Sequence, residues 1–300
     1  MEQLSIALLS GVGAGLVAIL ATIAIERLGG RLGGIIGTLP TTIIPASWGL
    51  WYQGQEEIVR QTSLNAELTQ NTLEQFSIAM YAVPAGMCLN AIFLWLWRVI
   101  PQGFTIVSRL SEQGQTGLRK ALALMSLMTL GLWFISAFTW VTVSKKWLST
   151  LDLHYLSGFS SLLLIVLIGL AATYQSVPAP KGKKISKLST LFSRGVCAML
   201  AVTLAVLIAK SGASTFAGVA AVFPAIFWTT MVSLWLSQGQ AVPSGAVGPM
   251  MLGSSSVAVF ALAAPSSYLE YGPLWGALLA WLLALFCAAL PSYLWIKRAH

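Results

Sequence analysis

Charge is what this sequence has least of. Only 9% of its 300 residues are Asp, Glu, Lys or Arg, against about 25% in an ordinary soluble domain. Hydrophobic residues make up 57% and mean hydropathy is +0.80, so there is too little polar surface to cover a globule and the remainder must face lipid. Histidine is nearly missing, with His154 and His300 as the whole complement. That excludes HExxH, His-rich and Cys/His zinc sites built from this chain alone, and no metal site is expected. Cys88, Cys197 and Cys287 cannot form a closed set of bridges, and all three lie in apolar runs, where packing is their simplest use. Short alternating polar and apolar patterns are absent, which argues against a β-barrel. No nucleophile with a base, no metal cluster and no phosphate-binding loop stands out, so neither an enzyme nor a cofactor is expected.

What is present is a series of apolar runs long enough for membrane helices, each needing roughly 20 residues to cross the hydrocarbon. Nine are counted, at 4–26, 33–52, 77–98, 120–143, 153–174, 189–210, 214–236, 243–265 and 273–296. The first lacks a basic leading region and is too long for the core of a secretory signal, so it is taken as a span. The expected fold is an all-α polytopic membrane protein.

A net charge of +8 does not point to nucleic acid, because Lys and Arg cluster at the ends of the runs. With nine spans, every Lys and Arg except Arg60, Lys145, Lys146 and Lys210 falls on the side that carries the C-terminus. The positive-inside rule then predicts a cytoplasmic C-terminus and an external N-terminus.

The chain also reads as a repeat. Laying 11–51 on 195–235 without gaps places Gly11 on Gly195, Gly34 on Gly218, Pro40 on Pro224, and Leu50-Trp51 on Leu234-Trp235. Further on, Gln53-Gly54-Gln55 matches Gln238-Gly239-Gln240, and Ala82-Val83-Pro84-Ala85-Gly86 matches Ala241-Val242-Pro243-Ser244-Gly245. The first half carries an extra polar segment, Gln55 to Gln75, read either as an amphipathic interfacial helix or as a solvated connector. Three units follow: a four-span repeat at 1–146, a linking span with a basic cytoplasmic linker at 147–188, and a second four-span repeat at 189–300. One linking span between two four-span units inverts the second, an architecture of secondary transporters.

The segment from Gly33 to Pro45 is a poor uninterrupted helix because Pro40 and Pro45 each remove a donor and crowd a carbonyl. Its counterpart carries Gly218 and Pro224, then Thr229 and Thr230. Paired Gly/Pro interruptions point to a transporter's central site. The candidate substrate-binding residues are therefore Gly37, Thr38, Pro40, Thr41, Thr42, Gly218, Pro224, Thr229 and Thr230, joined by Asn90, Ser254 and Ser255 from the third and eighth spans. Threonines that cap their own kinked backbone are the competing reading. Glu26 and Lys210, at equivalent ends of two spans, are candidates for gating or coupling, or simple interfacial anchors.

Gly11, Gly13 and Gly15 mimic a dinucleotide loop without the strand it needs, and suit close helix packing better. Met80, Met87, Met250 and Met251 offer soft thioether ligands or flexible packing. Expected partners are the lipid bilayer and a small-molecule or ion substrate, without nucleic acid; a homodimer is left open. The function expected is a secondary transporter working by alternating access, with a non-catalytic membrane scaffold or assembly factor as the alternative.

The element Gly33-Gly34-x-x-Gly37-x-x-Pro40, with Ala217-Gly218-x-x-x-x-Phe223-Pro224, resembles the start of the GlpM family of small bacterial inner-membrane proteins, as though two such units were fused around a linking helix. The resemblance covers about a quarter of each half and implies a bacterial inner-membrane location. It carries no biochemical activity across.

Overall fold

The computed structural model describes residues 2–28, 39–61, 66–103, 105–174, 188–209, 211, 213–238 and 241–299, and among these every regular element is helical. In chain order they are α1 (Glu2–Leu28), α2 (Ile43–Gln61), α3 (Ala66–Gly103), α4 (Thr105–Glu112), α5 (Gly114–Trp147) and α6 (Leu151–Tyr174). The second half has α7 (Leu188–Ala209), α8 (Ser214–Ala221), α9 (Ala225–Gln238), α10 (Ala241–Gly253), α11 (Ser255–Ala284) and α12 (Leu290–Ala299). A π-helical turn, Leu285–Ala289, joins the last two just before Pro291, which has no N–H to continue a regular ladder.

Among the described residues six stretches are long and apolar enough to cross a membrane: Leu73–Gly103, Gly114–Trp147, Leu151–Tyr174, Leu191–Ala209, Ser214–Leu236 and Gly245–Arg298. Large apolar side chains cover the outside of α5 and α6, among them Leu127, Phe138, Leu156 and Leu167. Patches of that extent belong against lipid rather than water, and the chain is a multi-pass membrane protein. The last stretch holds 54 residues, about 80 Å as one helix and more than twice a hydrocarbon core of ~30 Å. It folds back instead. Gly272 has φ 74° and ψ 172°, and a Cβ on Gly276 would sit 2.5 Å from the Ser267 carbonyl oxygen, so 273–284 returns along 255–271 as a helical hairpin.

Glycines set how closely the helices approach. A Cβ on Gly11 would strike the Thr203 side chain, one on Gly15 would lie 2.7 Å from the Gly195 oxygen, and one on Gly195 would lie 2.6 Å from Ile19 Cδ1. Positions rising along α1 thus meet positions falling along α7, and the two helices pack antiparallel at backbone contact. α6 sits between the halves. Cys88 donates its S–H to the Ser161 carbonyl at 3.7 Å and Arg98 donates to Ala172 at 3.3 Å, so α3 runs parallel to α6. Gly158 faces Leu262, Gly169 faces Leu252 and Gly248 faces Ala172, so α10 and the first part of α11 run antiparallel to it.

The helices extend beyond the apolar runs. The third apolar run, 77–98, lies inside the 38-residue α3, which absorbs Pro84 and Pro101, and the fourth lies inside the 34-residue α5. The polar segment from Gln55 to Gln75 divides between the end of α2 and the start of α3, with 62–65 outside the described residues. The basic linker at 177–187 also lies outside them.

Candidate functional site

Two proline turns, one in each half, border a single cavity. In the second half α8 ends at Ala221 because Pro224, lacking an N–H and bulky towards the preceding turn, cannot continue it. The chain tightens first, with Val222 and Phe223 donating to Val219 and Ala220, three residues back, at 3.3 and 3.0 Å. The Ala225 N–H then reaches around Pro224 to the Phe223 carbonyl at 2.7 Å, and α9 starts. In the first half the Thr41 N–H makes the same reach around Pro40, to the Leu39 carbonyl at 2.8 Å, and α2 starts two residues on. The overlay of 11–51 on 195–235 equates Leu39 with Phe223 and Thr41 with Ala225, so the same turn occurs at equivalent positions.

Both turns line one cavity of about 140 Å³. Its wall contains Leu39, Thr41, Thr42 and Ile43 from the first half and their counterparts Phe223, Ala225, Ile226 and Phe227 from the second, with Ala18 of α1 and its counterpart Val202 of α7. Ala221, Val222 and Pro224 at the second turn, Met87 and Asn90 of α3, Ala198 and Ala201 of α7 and Val257 of α11 complete it. The described lining includes no ionisable side chain. Its polar side chains are those of Thr41, Thr42 and Asn90, and residues of the first turns of α2 and α9 also line it; first-turn amides at helix N-termini have no partner within their own helices and carry partial positive charge.

Asn90, fully buried, is already engaged. It donates from Nδ2 to the Val222 carbonyl at 2.7 Å and accepts at Oδ1 from Trp133 Nε1 at 2.8 Å. The amide therefore ties the end of α8 to α3 and α5. Trp133 and Phe134 pack their rings on Phe223 at 5.3 and 5.6 Å between centroids, and Trp228 donates to Ser126 Oγ at 2.8 Å. Gly218 lets α8 lie directly on the Ala79 backbone of α3.

The other sequence-derived candidates divide clearly. Thr41, Thr42, Asn90 and Pro224 line the cavity, whereas Pro40 and Gly218 are not in its wall: Pro40 forms the first turn and Gly218 packs α8 on Ala79. Thr229 bonds the carbonyls of Ala225 and Ile226, and Ser254 and Ser255 bond those of Met251 and Leu252, each three or four residues back. Thr230 is half-buried on α9 outside the cavity wall, and Glu26 lies in the last turn of α1. Gly37, Thr38 and Lys210 lie outside the described residues. Of the four methionines considered as soft ligands, Met87 alone reaches the wall, and among the described residues no three His, Cys, Asp or Glu side chains converge.

Sequence reasoning passed over Ala18, Val202 and the brace of Ser126 and Trp133. The overlay already paired Ala18 with Val202, which was the available signal; a tryptophan in an apolar run gives none. In the comparisons with known proteins, no family model, no curated protein and no solved structure matches this chain.

Proposed function

We propose that this chain is a secondary carrier for a small solute, moving it across a bacterial inner membrane by alternating access around the cavity at the two proline turns. The observation that carries the reading is the pairing of its wall. Residues 18, 39, 41, 42 and 43 line it together with 202, 223, 225, 226 and 227, their counterparts in the repeat, as expected where a site lies on the axis relating two inverted halves. The antiparallel contact of α1 with its counterpart α7, and the opposite directions in which α3 and α10 meet α6, support inversion. The proposed architecture is nine spans: four at 1–146, a linker at 147–188 and four at 189–300, with the N-terminus outside and the C-terminus in the cytoplasm.

The cavity also limits the cargo. About 140 Å³ is close to the ~150 Å³ of an apolar cavity that accepts benzene, so the solute has about the bulk of benzene. With hydroxyls and first-turn amides as the polar groups, a neutral or singly anionic solute fits better than a cation.

A membrane scaffold is the competing reading, favoured by the self-capping of Thr229, Ser254 and Ser255. A thermal-shift screen of purified protein against small neutral solutes and monoanions separates the two, because a ligand at 100 times its Kd stabilises the folded state by about 2.7 kcal/mol. The carrier reading expects a hit that Ala198→Phe, which fills the cavity, and Thr41→Val, which keeps its shape, both weaken. It also expects proteoliposomes to take up that solute. Proteoliposomes impermeable to every hit, or hits indifferent to both substitutions, would leave the scaffold.

A further inference from the structure

A second, larger hollow of about 900 Å³ opens between α1 and α2 on the outside of the bundle. Its walls are Ile6, Leu9, Val12, Leu16 and Val17 on one side and Ile44, Pro45 and Trp48 on the other, with Trp281 behind. Ser10, Thr41 and Tyr52 are its hydroxyl groups, and Trp48 Nε1 is already bonded to the Pro273 carbonyl at 3.0 Å.

We infer that this groove is a binding site for one lipid acyl chain from the leaflet on the N-terminal side. Three observations select that occupant. The groove runs into a lipid-facing surface, since Leu9 and Leu16 on its rim are 75% and 56% exposed. Its length matches one leaflet: positions 6 to 17 of α1 rise about 16 Å at 1.5 Å per residue, roughly half of a ~30 Å hydrocarbon core. Its polarity runs as a lipid does. Gly13 lies opposite Pro45 and Gly49 opposite Ser10, so α1 and α2 are antiparallel, Trp48 and Tyr52 stand at the Ile6 end near the membrane surface, and Thr41 stands at the deep end beside Val17. Trp and Tyr are the residues that favour the headgroup boundary.

Thr41 also lines the central cavity. The methyl end of the seated chain therefore lies beside Thr41, a residue shared with the wall of the central cavity. This assignment does not depend on the carrier reading.

The test uses the full chain in vesicles of unlabelled phospholipid doped with a phospholipid bearing a diazirine either at the chain terminus or near the acyl carboxyl carbon. Mass spectrometry maps the crosslinks. The terminal probe is expected at Val17 and Thr41 to Pro45, and the carboxyl-proximal probe at Ile6 to Ser10 and Tyr52. Gly13→Leu projects into the groove, where even a Cβ would come 3.4 Å from Pro45, and Leu16→Trp narrows it from an exposed position. Each is expected to cut deep-end labelling by about fivefold, close to 1 kcal/mol, without changing labelling of Phe138 on α5. The same labels for both probes, or deep-end labelling unchanged in both variants, would overturn the site. Failure of solute uptake with labelling intact would count against the carrier alone.

Discussion

At the scale of single residues, Asn90 and Thr41 have opposite roles on one wall. Asn90 satisfies the Val222 carbonyl and the Trp133 N–H, and both residues are buried. A bond between membrane helices is worth about 0.6 kcal/mol on average and up to ~1.7. Asn90→Leu is therefore expected to lower unfolding free energy by about 1–3 kcal/mol in denaturant titration. Trp133→Phe should cost less, and the double variant less than the sum, because both remove the same bond. Additive losses would mean the bond is not formed. Thr41 lines the cavity while its backbone makes the proline turn. Thr41→Val should leave stability within about 0.5 kcal/mol but weaken solute binding by about 2–10-fold, the worth of one neutral hydrogen bond at 0.5–1.5 kcal/mol. Equal affinity for both proteins would remove Thr41 from the site.

Among the elements, glycine separates helices that touch from helices that merely pass. At Gly218 a Cβ would collide with the Ala79 backbone carbonyl, which cannot swing aside, whereas at Gly131 nothing lies within 4 Å. Gly218→Ala is expected to lose about 1–3 kcal/mol through overpacking, and Gly131→Ala to be neutral or to gain up to ~1 kcal/mol of helix propensity; melting temperatures of the two purified variants check the contrast. Gly272→Ala forces an L residue to φ 74° and should cost about 1–3 kcal/mol, read as easier proteolysis at the 271–273 turn. Much of this layout was legible in the sequence. Run length located the six long apolar stretches, the last of which holds two of the nine runs, though the first two runs are not among the six; Pro40 and Pro224 located the turns, since a missing donor acts wherever the chain lies. Helix ends were not legible, because apolar runs report hydrocarbon depth while helices such as α3 and α5 continue into polar surroundings. Hydroxyl use was not legible either: whether Thr229 faces the cavity or bonds Ala225 depends on the rotation of α9, which its packing on α5 and α7 determines. The short amphipathic α4 was hidden for a similar reason, since eight residues are too few for a clear period.

For the whole molecule the decisive property is direction. If 195–235 repeats 11–51 in inverted orientation, Arg27 at the end of the first span and Ser211, its counterpart at the end of the sixth, face opposite sides of the membrane. A direct repeat would put them on the same side. The antiparallel contact of α1 with α7 already requires opposite directions for these two helices, and the topology proposed from the excess of Lys and Arg places the Arg27 side in the cytoplasm. Arg27→Cys and Ser211→Cys, each in a chain with Cys88, Cys197 and Cys287 replaced by Ala, make the distinction measurable. In intact cells a membrane-impermeant maleimide should modify the Ser211 variant, and should modify the Arg27 variant after the membrane is opened. Ser211 is exposed, so access does not limit its reaction. Labelling of both from outside would abolish the inversion and with it the axis through the cavity, and alternating access would then lose its structural basis. Labelling of the Arg27 variant alone from outside would keep the inversion and reverse the orientation, placing the groove between α1 and α2 in the cytoplasmic leaflet.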